Sequence, residues 1–158
     1  MIRYSNYVIP EAIAPEQARL GRTAAWLAKQ VDLGLDSIDL SLPQYRVLGL
    51  LDESSAVSSL LAERLAVRPP SVTSIVDGLV AKGLVERRTV ATDRRQVDHV
   101  LTPEGLRVLQ LADATLEARL SDIADCLDDP SDRARAVDGL RAWRSAFVAY
   151  RAARQAGR

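Results

Sequence analysis

The spacing of apolar residues divides the chain into helical segments and one short stretch of strand-like alternation. Near the start, an apolar position recurs every three or four residues, which predicts a helix over residues 15–35. The members of this stripe are Leu20, Ala24, Leu27 and Val31. Ser41, followed three residues later by Gln44, has the pattern of a capping box and predicts a second helix over 41–51.

The next segment predicts two helices joined by a tight connection. After a polar turn at 52–56, a short helix is expected over 58–65. Pro69 and Pro70 fit the first turn of a following helix, because a missing N–H costs little there. That helix is expected to end where Gly83 can form the C-terminal cap. Its predicted buried stripe comprises Val72, Ile75, Val76 and Leu79.

A β-hairpin is predicted directly after this helix. Residues 84–88 and 97–101 alternate apolar and polar positions, which is the pattern of two half-buried strands. The predicted tip between them carries three charged residues, namely Asp93, Arg94 and Arg95.

Two longer helices complete the chain. Thr102 and Pro103 have the properties of an N-cap and a first helical residue. The polar segment 128–132 is expected to separate the two helices. The apolar stripe of the first comprises Leu109, Ala112, Leu116, Leu120, Ile123 and Leu127. The stripe of the second comprises Leu140, Trp143, Phe147 and Tyr150.

The order of these elements predicts a mainly α fold with a small β-hairpin, a winged helix-turn-helix flanked by dimerisation helices. Residues 40–105 are expected to form the DNA-binding domain, and 1–39 with 106–158 a helical dimerisation region. Because a unit this small leaves the flanking stripes uncovered, a homodimer is expected. Such a dimer would bind a pseudo-palindromic operator in double-stranded DNA, with half-sites about one helical turn apart.

Composition and charge limit the class of protein. The 158 residues are 47% hydrophobic and 27% charged, which suits a soluble globular protein. No apolar run is long enough to span a bilayer and no secretory signal is evident, so a cytoplasmic protein without membrane contact is expected. The formal net charge is zero, which argues against a nucleic-acid partner. The central hairpin nevertheless concentrates positive charge, in Arg87, Arg88, Arg94 and Arg95.

Few residues suggest catalysis, a metal or a cofactor. The chain shows no nucleophile elbow, zinc-binding helix motif or phosphate-binding glycine loop, so no enzyme activity and no cofactor are expected. His99 and Cys126 are too far apart along the chain to suggest a metal site. His99 is expected to be a semi-buried strand residue, with a role in pH sensing as the less favoured alternative. Cys126 is expected to be a small buried residue.

Three segments of the chain resemble the MarR (multiple-antibiotic-resistance regulator) family of bacterial transcription factors. They are LPQYRVLGLL, LAERLAVRPPSVTSIVDGLVAKGLVER and DRRQVDHVLTPEG, which together span residues 42–105. The resemblance implies a dimeric winged-helix repressor or activator that a small aromatic ligand or an oxidant often releases from DNA. It also implies that Asp93 holds the guanidinium of Arg95 in the wing.

Candidate DNA contacts follow from the predicted helix and hairpin. The helix face opposite the buried stripe carries hydroxyls that suit phosphates and base edges. This face of the helix has no Arg or Lys, and Gly78 stands where many members of the family carry an arginine. Asp77 is therefore expected to orient an arginine from a neighbouring element. For Ser71 a capping role is equally favoured. The candidate DNA-binding residues are Arg68, Pro70, Ser71, Thr73, Ser74, Asp77, Arg87, Asp93, Arg94 and Arg95.

Two alternatives remain open from the sequence. Trp26, Tyr45 and Arg46 are candidates for a ligand crevice between the dimer helices and the DNA-binding domain, although packing and solvent exposure explain them equally well. The neutral charge also leaves open a winged-helix module that binds protein without binding duplex DNA.

Overall fold

The structure is a computed structural model that describes residues 17–90 and 93–156, with side chains for 19–89, 97–150 and 152–153. Six helices and three strands lie within the described part of the chain. In chain order they are α1 (Gln17–Asp36), α2 (Leu42–Glu53), β1 (Ala56–Val57), α3 (Ser58–Leu65), α4 (Pro69–Ala81), β2 (Val85–Val90), β3 (Asp93–Leu101), α5 (Pro103–Ala124) and α6 (Pro130–Ala156).

The predicted helix termini are formed as expected. The Gln44 amide nitrogen lies 3.4 Å from the Ser41 hydroxyl, and the Ser41 amide nitrogen lies 3.1 Å from Gln44 Oε1. This reciprocal pair confirms the capping box of α2. The two prolines occupy the start of α4, and Gly83 follows its end with a positive φ of 71°. The amides of Gly83 and Leu84 donate back to α4 carbonyls, which closes that helix with a Schellman-type turn.

The sheet contains a strand that the sequence pattern did not predict. Residues 52–56 were expected to be a polar turn, but α2 continues to Glu53 and β1 begins at Ala56. This short strand pairs antiparallel with β3, so the sheet has the order β1-β3-β2. A two-residue strand is too short to show alternation, and its pairing depends on a partner more than 40 residues away.

The hairpin is longer than predicted, and its charged residues lie on a strand. β2 extends to Val90 and β3 begins at Asp93, and the two residues between them lie outside the described residues. Asp93, Arg94 and Arg95 therefore lie on β3. The pairing is irregular at Thr89 and Val90, which is where the two predicted strands stopped.

The hydrophobic core lies where α2, α3 and α4 meet the C-terminal end of α1, the N-terminal half of α5 and the base of the hairpin. Its fully buried members include Leu35, Leu48, Leu61, Leu79 and Val85. In α4, the buried stripe holds as predicted for Val72, Val76 and Leu79, while Ile75 is partly buried. Within the described part, α6 contributes no residue to this core.

The outer ends of the long helices leave apolar side chains exposed in the single chain. The apolar stripe predicted for this helix is buried as far as Leu116, whereas Ile123 in α5 and Leu127 beyond its end are exposed. Cys126, which was expected to be buried, is also exposed, because it lies in the turn after α5 ends at Ala124. The helix ends earlier than the polar segment 128–132 predicted.

Candidate nucleic-acid interface

The outward face of α4 is the first part of the candidate site. The residues opposite its buried stripe are exposed: Pro70, Ser71, Thr73, Ser74, Asp77 and Ala81. They present short side chains, three of which carry hydroxyl groups, so the helix backbone is left accessible to a close-fitting partner. The Thr73 hydroxyl donates to the Pro69 carbonyl at 3.4 Å, within the first turn of the helix.

Gly78 was predicted to lie on this outward face of α4, but the structure places it on the flank, toward α2. It is half-buried, and a Cβ atom added there would lie 3.1 Å from Nε2 of Gln44 on α2. Gly78 is therefore a contact point between α4 and α2. The helical spacing placed it on the outer face because spacing alone does not show how far a neighbouring helix reaches around the flank.

An ion pair joins α4 to the hairpin. The guanidinium of Arg87 on β2 donates to the carboxylate of Asp77 on α4. Both side chains are about half exposed, at 42% for Arg87 and 55% for Asp77. The contact provides the neighbouring arginine that Asp77 was expected to orient. It places a positive charge between the two elements that form the candidate interface.

The two arginines of β2 point to opposite faces, as strand alternation predicts. Arg87 stands across from His99 of β3 and reaches α4. Arg88 stands across from Asp98 and pairs with Glu86 two residues away on the same face of β2. Of these two arginines, Arg87 is the one beside the outward face of α4.

Arg68 lies at the N-terminal end of α4. It is the exposed N-cap residue, and its carbonyl accepts hydrogen bonds from the Ser71 and Val72 amides at 3.0 and 3.4 Å. No side-chain cap is formed at this end of α4. Ser71 is therefore exposed on the first turn and does not act as the N-cap.

The distal end of the hairpin carries the remaining candidates. The backbone of Asp93, the first residue of β3, pairs with Val90 of β2, and Arg94 and Arg95 continue along β3. The side chains of these three residues lie outside the described part of the structure. Their contacts, including the expected pairing of Asp93 with Arg95, stay predictions.

His99 occupies the base of the hairpin. It is 3% exposed, which confirms its predicted position on the core face of the strand. Its Nε2 atom lies 2.8 Å from the hydroxyl of Ser58, the first residue of α3. Burial and the positive charge of Arg87 lower the pKa of His99 below its ordinary value. Ser58 was not singled out from the sequence, since its role depends on the pairing of β1 with β3.

The three candidate ligand residues are engaged in different contacts. Trp26 on α1 is 71% exposed in the single chain. The Tyr45 hydroxyl on α2 donates to Asp113 of α5 at 2.6 Å. Burial, and then this hydrogen bond, raise the pKa of Tyr45. Arg46 donates to the Leu65 carbonyl at 3.4 Å. The structure thus gives Tyr45 and Arg46 hydrogen-bond partners within the same chain.

Two further features bear on the class of protein. Among the described residues, no group of three or more His, Cys, Asp and Glu side chains is arranged to hold a metal ion. In the same part of the chain, no helix combines the length and apolar character needed to cross a membrane.

The chain is similar to known transcriptional regulators in sequence and structure. A family model described as "MarR family" matches residues 38–96. The HTH-type transcriptional repressor Rv2887 of Mycobacterium tuberculosis is 28% identical over 121 residues, covering 76% of this chain and 87% of the repressor. Its crystal structure, described as a MarR family protein, superposes with a TM-score of 0.67 at 26% identity, over 82% of this chain and 96% of that one.

Two other solved structures extend the comparison. The transcriptional regulator BldR of Sulfolobus solfataricus is 26% identical with a TM-score of 0.61, over 80% of this chain and 95% of its own. Apo MarR of E. coli shares the fold, with a TM-score of 0.71 at 21% identity over 83% of this chain and 97% of that one. These relatives are regulators and not enzymes, and the matched segment contains α4 and most of the hairpin. The chain therefore resembles the MarR family of winged helix-turn-helix transcriptional regulators, most clearly over residues 38–96.

Proposed function

We propose that this protein is a transcriptional repressor that binds double-stranded DNA as a homodimer at a pseudo-palindromic operator. One observation carries the proposal: α4 exposes a face of short hydroxyl side chains, and the Arg87–Asp77 ion pair fixes a basic hairpin beside that face. A helix of this kind fits the major groove, where hydroxyls contact phosphates or base edges.

The proposed contacts divide into positioning and base recognition. Arg68 and Pro70 lie at the N-terminal end of α4, where backbone amides and a basic side chain suit phosphate. Ser71, Thr73 and Ser74 face the groove along the helix. Because α4 has no Arg or Lys on this face, direct base readout is modest, and DNA shape contributes a larger share of the specificity.

The hairpin is the proposed wing. Arg94 and Arg95 would enter or approach the minor groove, whose negative potential attracts guanidinium groups. Asp93 would hold Arg95 in place, and Arg87 would contribute at the base of the hairpin. Replacing Arg95 by alanine should weaken binding to every duplex while leaving the dimer intact. Unchanged affinity would show that the wing is not a DNA contact.

The proposed dimer uses the segments outside the DNA-binding domain. Residues 1–39 and 106–158 would form the dimerisation region, and 40–105 the DNA-binding domain. Large apolar side chains on α6, among them Trp143 and Phe147, are more than half exposed in the single chain. A second copy of the chain would cover them and would place two α4 helices about one turn of DNA apart.

Selection of duplexes from a random DNA pool tests the proposal directly. The expected result is an enriched pseudo-palindrome, which would give the operator sequence and its half-site spacing. Titrations at several salt concentrations then separate a repressor from a protein-binding module. Phosphate contacts should give a logarithmic slope of about −0.9 per phosphate neutralised. Absence of duplex binding at low salt would contradict the repressor function and favour the protein-binding alternative.

Release of DNA by a small aromatic ligand is a further part of the proposal. The crevice near Trp26, Tyr45 and Arg46 is the expected location, with the Arg46 guanidinium as partner for a ligand carboxylate. Because Arg46 already donates to the Leu65 carbonyl, a ligand would have to replace that hydrogen bond. A panel of aromatic carboxylates should lower DNA affinity and raise the melting temperature, and R46A should lose both effects. If no compound produces either effect, this part of the proposal fails.

The proposed place of action follows from the proposed partner. Bacterial chromosomal DNA lies in the cytoplasm, so a repressor of this family would act there.

A further inference from the structure

The ring of His99 lies at the junction of three elements of the DNA-binding domain. On β3 it stands between Ala56 of β1 and Arg87 of β2, its partners in register on either side. Its Nε2 atom contacts the Ser58 hydroxyl at the start of α3, at 2.8 Å. Its Nδ1 atom is buried and has no hydrogen-bond partner among the described residues. The ring therefore has one polar contact where a protonated ring would need two acceptors.

The charges around this ring are asymmetric. Arg87 on β2 opposes a positive charge on the ring, whereas Asp98 on β3 and Asp77 on α4 favour one. Asp77 already pairs with Arg87. Asp98 lies on the opposite face of β3 from the ring, where it accepts a hydrogen bond from Ser55 at 3.1 Å. The group on α3 that faces the ring is the neutral Ser58 hydroxyl. Helix α2 also packs on β3, but it adds no charge that shifts the pKa of His99.

Protonation of His99 would therefore disturb the contact between the wing and α4. A buried imidazolium needs an acceptor for its second N–H, because an unpaired buried charge is costly. Either Asp77 would turn from Arg87 to the ring, or the ring would leave its buried position beside Ser58. In both cases Arg87 would lose its fixed place between α4 and the hairpin.

We infer that neutral His99 positions the wing against α4 for DNA binding, and that protonation of its ring weakens that binding. The inference rests on the proposed DNA-binding function. His99 is a positioning residue, since it acts through Arg87 and Ser58 and not by contact with DNA. The phosphates of a bound duplex would have the opposite electrostatic effect, because their negative charge favours a protonated ring. The direction in which DNA binding shifts the pKa of His99 therefore distinguishes the two effects. A lower pKa indicates that neutral His99 positions the wing, and a higher pKa indicates attraction of the protonated ring by phosphates.

A pH titration of the wild-type dimer, with and without DNA, measures the direction of this pKa shift. The sequence contains one histidine, so a chain labelled with ¹³C-histidine gives one ring signal to follow with pH. The pKa of His99 is measured in the free protein and in the complex with the selected duplex. We expect a lower pKa in the complex, and an affinity that falls by up to about tenfold per pH unit for each of the two rings of the dimer as the rings of the free protein become protonated. An equal or higher pKa in the complex would overturn the inference.

Variants supply a second readout. H99Q keeps an acceptor for the Ser58 hydroxyl but cannot be protonated, so its DNA affinity should match wild type at pH 8 and stay constant on acidification. H99A should bind DNA more weakly at every pH, because it has no acceptor for the Ser58 hydroxyl. A higher DNA affinity of H99Q than of H99A would show that His99 acts by positioning and not only by filling space. S55A, which changes a contact on the opposite face of β3, is the matched control and should keep the wild-type profile.

The outcomes separate this inference from the function on which it rests. If the wild-type protein binds no duplex at pH 8, the proposed function fails, and the inference fails with it. If the protein binds at pH 8 and the profiles of wild type and H99Q coincide down to the pKa measured for the ring, only the inference is overturned.

Discussion

At the residue scale, Gly105 determines how closely α5 approaches the end of α4. The Thr102 hydroxyl donates to the Gly83 carbonyl at 2.8 Å and accepts from the Gly105 amide at 2.9 Å. This arrangement brings the first turn of α5 against the backbone of Leu84. A Cβ atom at Gly105 would lie 2.0 Å from the Leu84 carbonyl oxygen. A side chain at this position requires the two segments to move apart.

Replacing Gly105 with alanine should therefore destabilise the fold. Overpacking of this kind costs about 1–3 kcal/mol, and the obstacle here is backbone, which cannot rotate away. Urea unfolding of wild type and G105A measures the difference. G49A is the matched control, since a Cβ at Gly49 in the interior of α2 meets no atom within 4 Å. That variant should be unchanged or more stable by up to about 1 kcal/mol. Equal stability of G105A and G49A would contradict the close approach of Gly105 to the Leu84 backbone.

His99 should make the free energy of unfolding depend on pH. Its pKa lies below the ordinary 6.5 in the folded protein, so the unfolded chain takes up the proton first as the pH falls. Stability should decrease as the pH drops below about 6.5, and this decrease should end below the folded pKa. The difference in unfolding free energy between wild type and H99Q, measured from pH 8 to 5, isolates this contribution. A difference that does not vary with pH would show that folding leaves the pKa of His99 unchanged.

At the element scale, the Asp77–Arg87 pair joins α4 to the wing. A half-exposed ion pair contributes at most about 1 kcal/mol to stability, so its main effect should be on orientation. Without Asp77, Arg87 keeps its charge and still attracts phosphate, but it is no longer held at a fixed place beside α4. The pair should therefore matter more for specificity than for total affinity.

The variant D77N should lower the ratio of affinities for the selected duplex and an unrelated duplex by about tenfold, which equals about 1.4 kcal/mol. Affinity for the unrelated duplex should not fall, because a negative charge has been removed. Fluorescence anisotropy with both duplexes measures the ratio. E104Q is the control, since it removes a carboxylate that pairs with Arg107 on α5, away from the wing. If D77N and E104Q discriminate equally well, the ion pair does not set specificity.

At the scale of the whole molecule, α6 and the C-terminal end of α5 carry large apolar side chains that a single chain leaves exposed. The rings of Trp143 and Phe147 on α6 lie in a tilted arrangement with their centroids 5.7 Å apart, yet these residues are 61% and 55% exposed. The positive charge of α6 is partly balanced where it meets the end of α5, by Arg133 with Asp125 at 3.6 Å. The neutral net charge of the chain thus results from balanced regions and says little about the interface.

The variant F147E should convert the proposed dimer to monomers, because it would place a charge in the apolar surface that a second copy would cover. Sedimentation velocity at micromolar concentration measures the change. S145E is the matched control, since Ser145 is exposed about half a helical turn away from Trp143. A wild-type protein that sediments as a monomer would contradict the role of the terminal helices, and dissociation of both variants would contradict the assigned face.

The sequence by itself determined the features encoded within a few neighbouring residues. The capping box at Ser41, the two prolines that begin α4 and the cap at Thr102 each depend on contacts three or four residues apart, and the structure forms all of them. The apolar stripe of α4 likewise predicted which side of that helix is buried. Family motifs then identified the class of regulator.

Only the tertiary structure decided which distant residues meet. The pairing of β1 with β3, the Arg87–Asp77 contact and the hydrogen bond between His99 and Ser58 join segments that no local pattern connects. The half-burial of Gly78 and the exposure of Cys126 also depend on where neighbouring elements end. The physical reason is that caps and periodicity act within one element, whereas partners across elements are selected by packing of the whole domain.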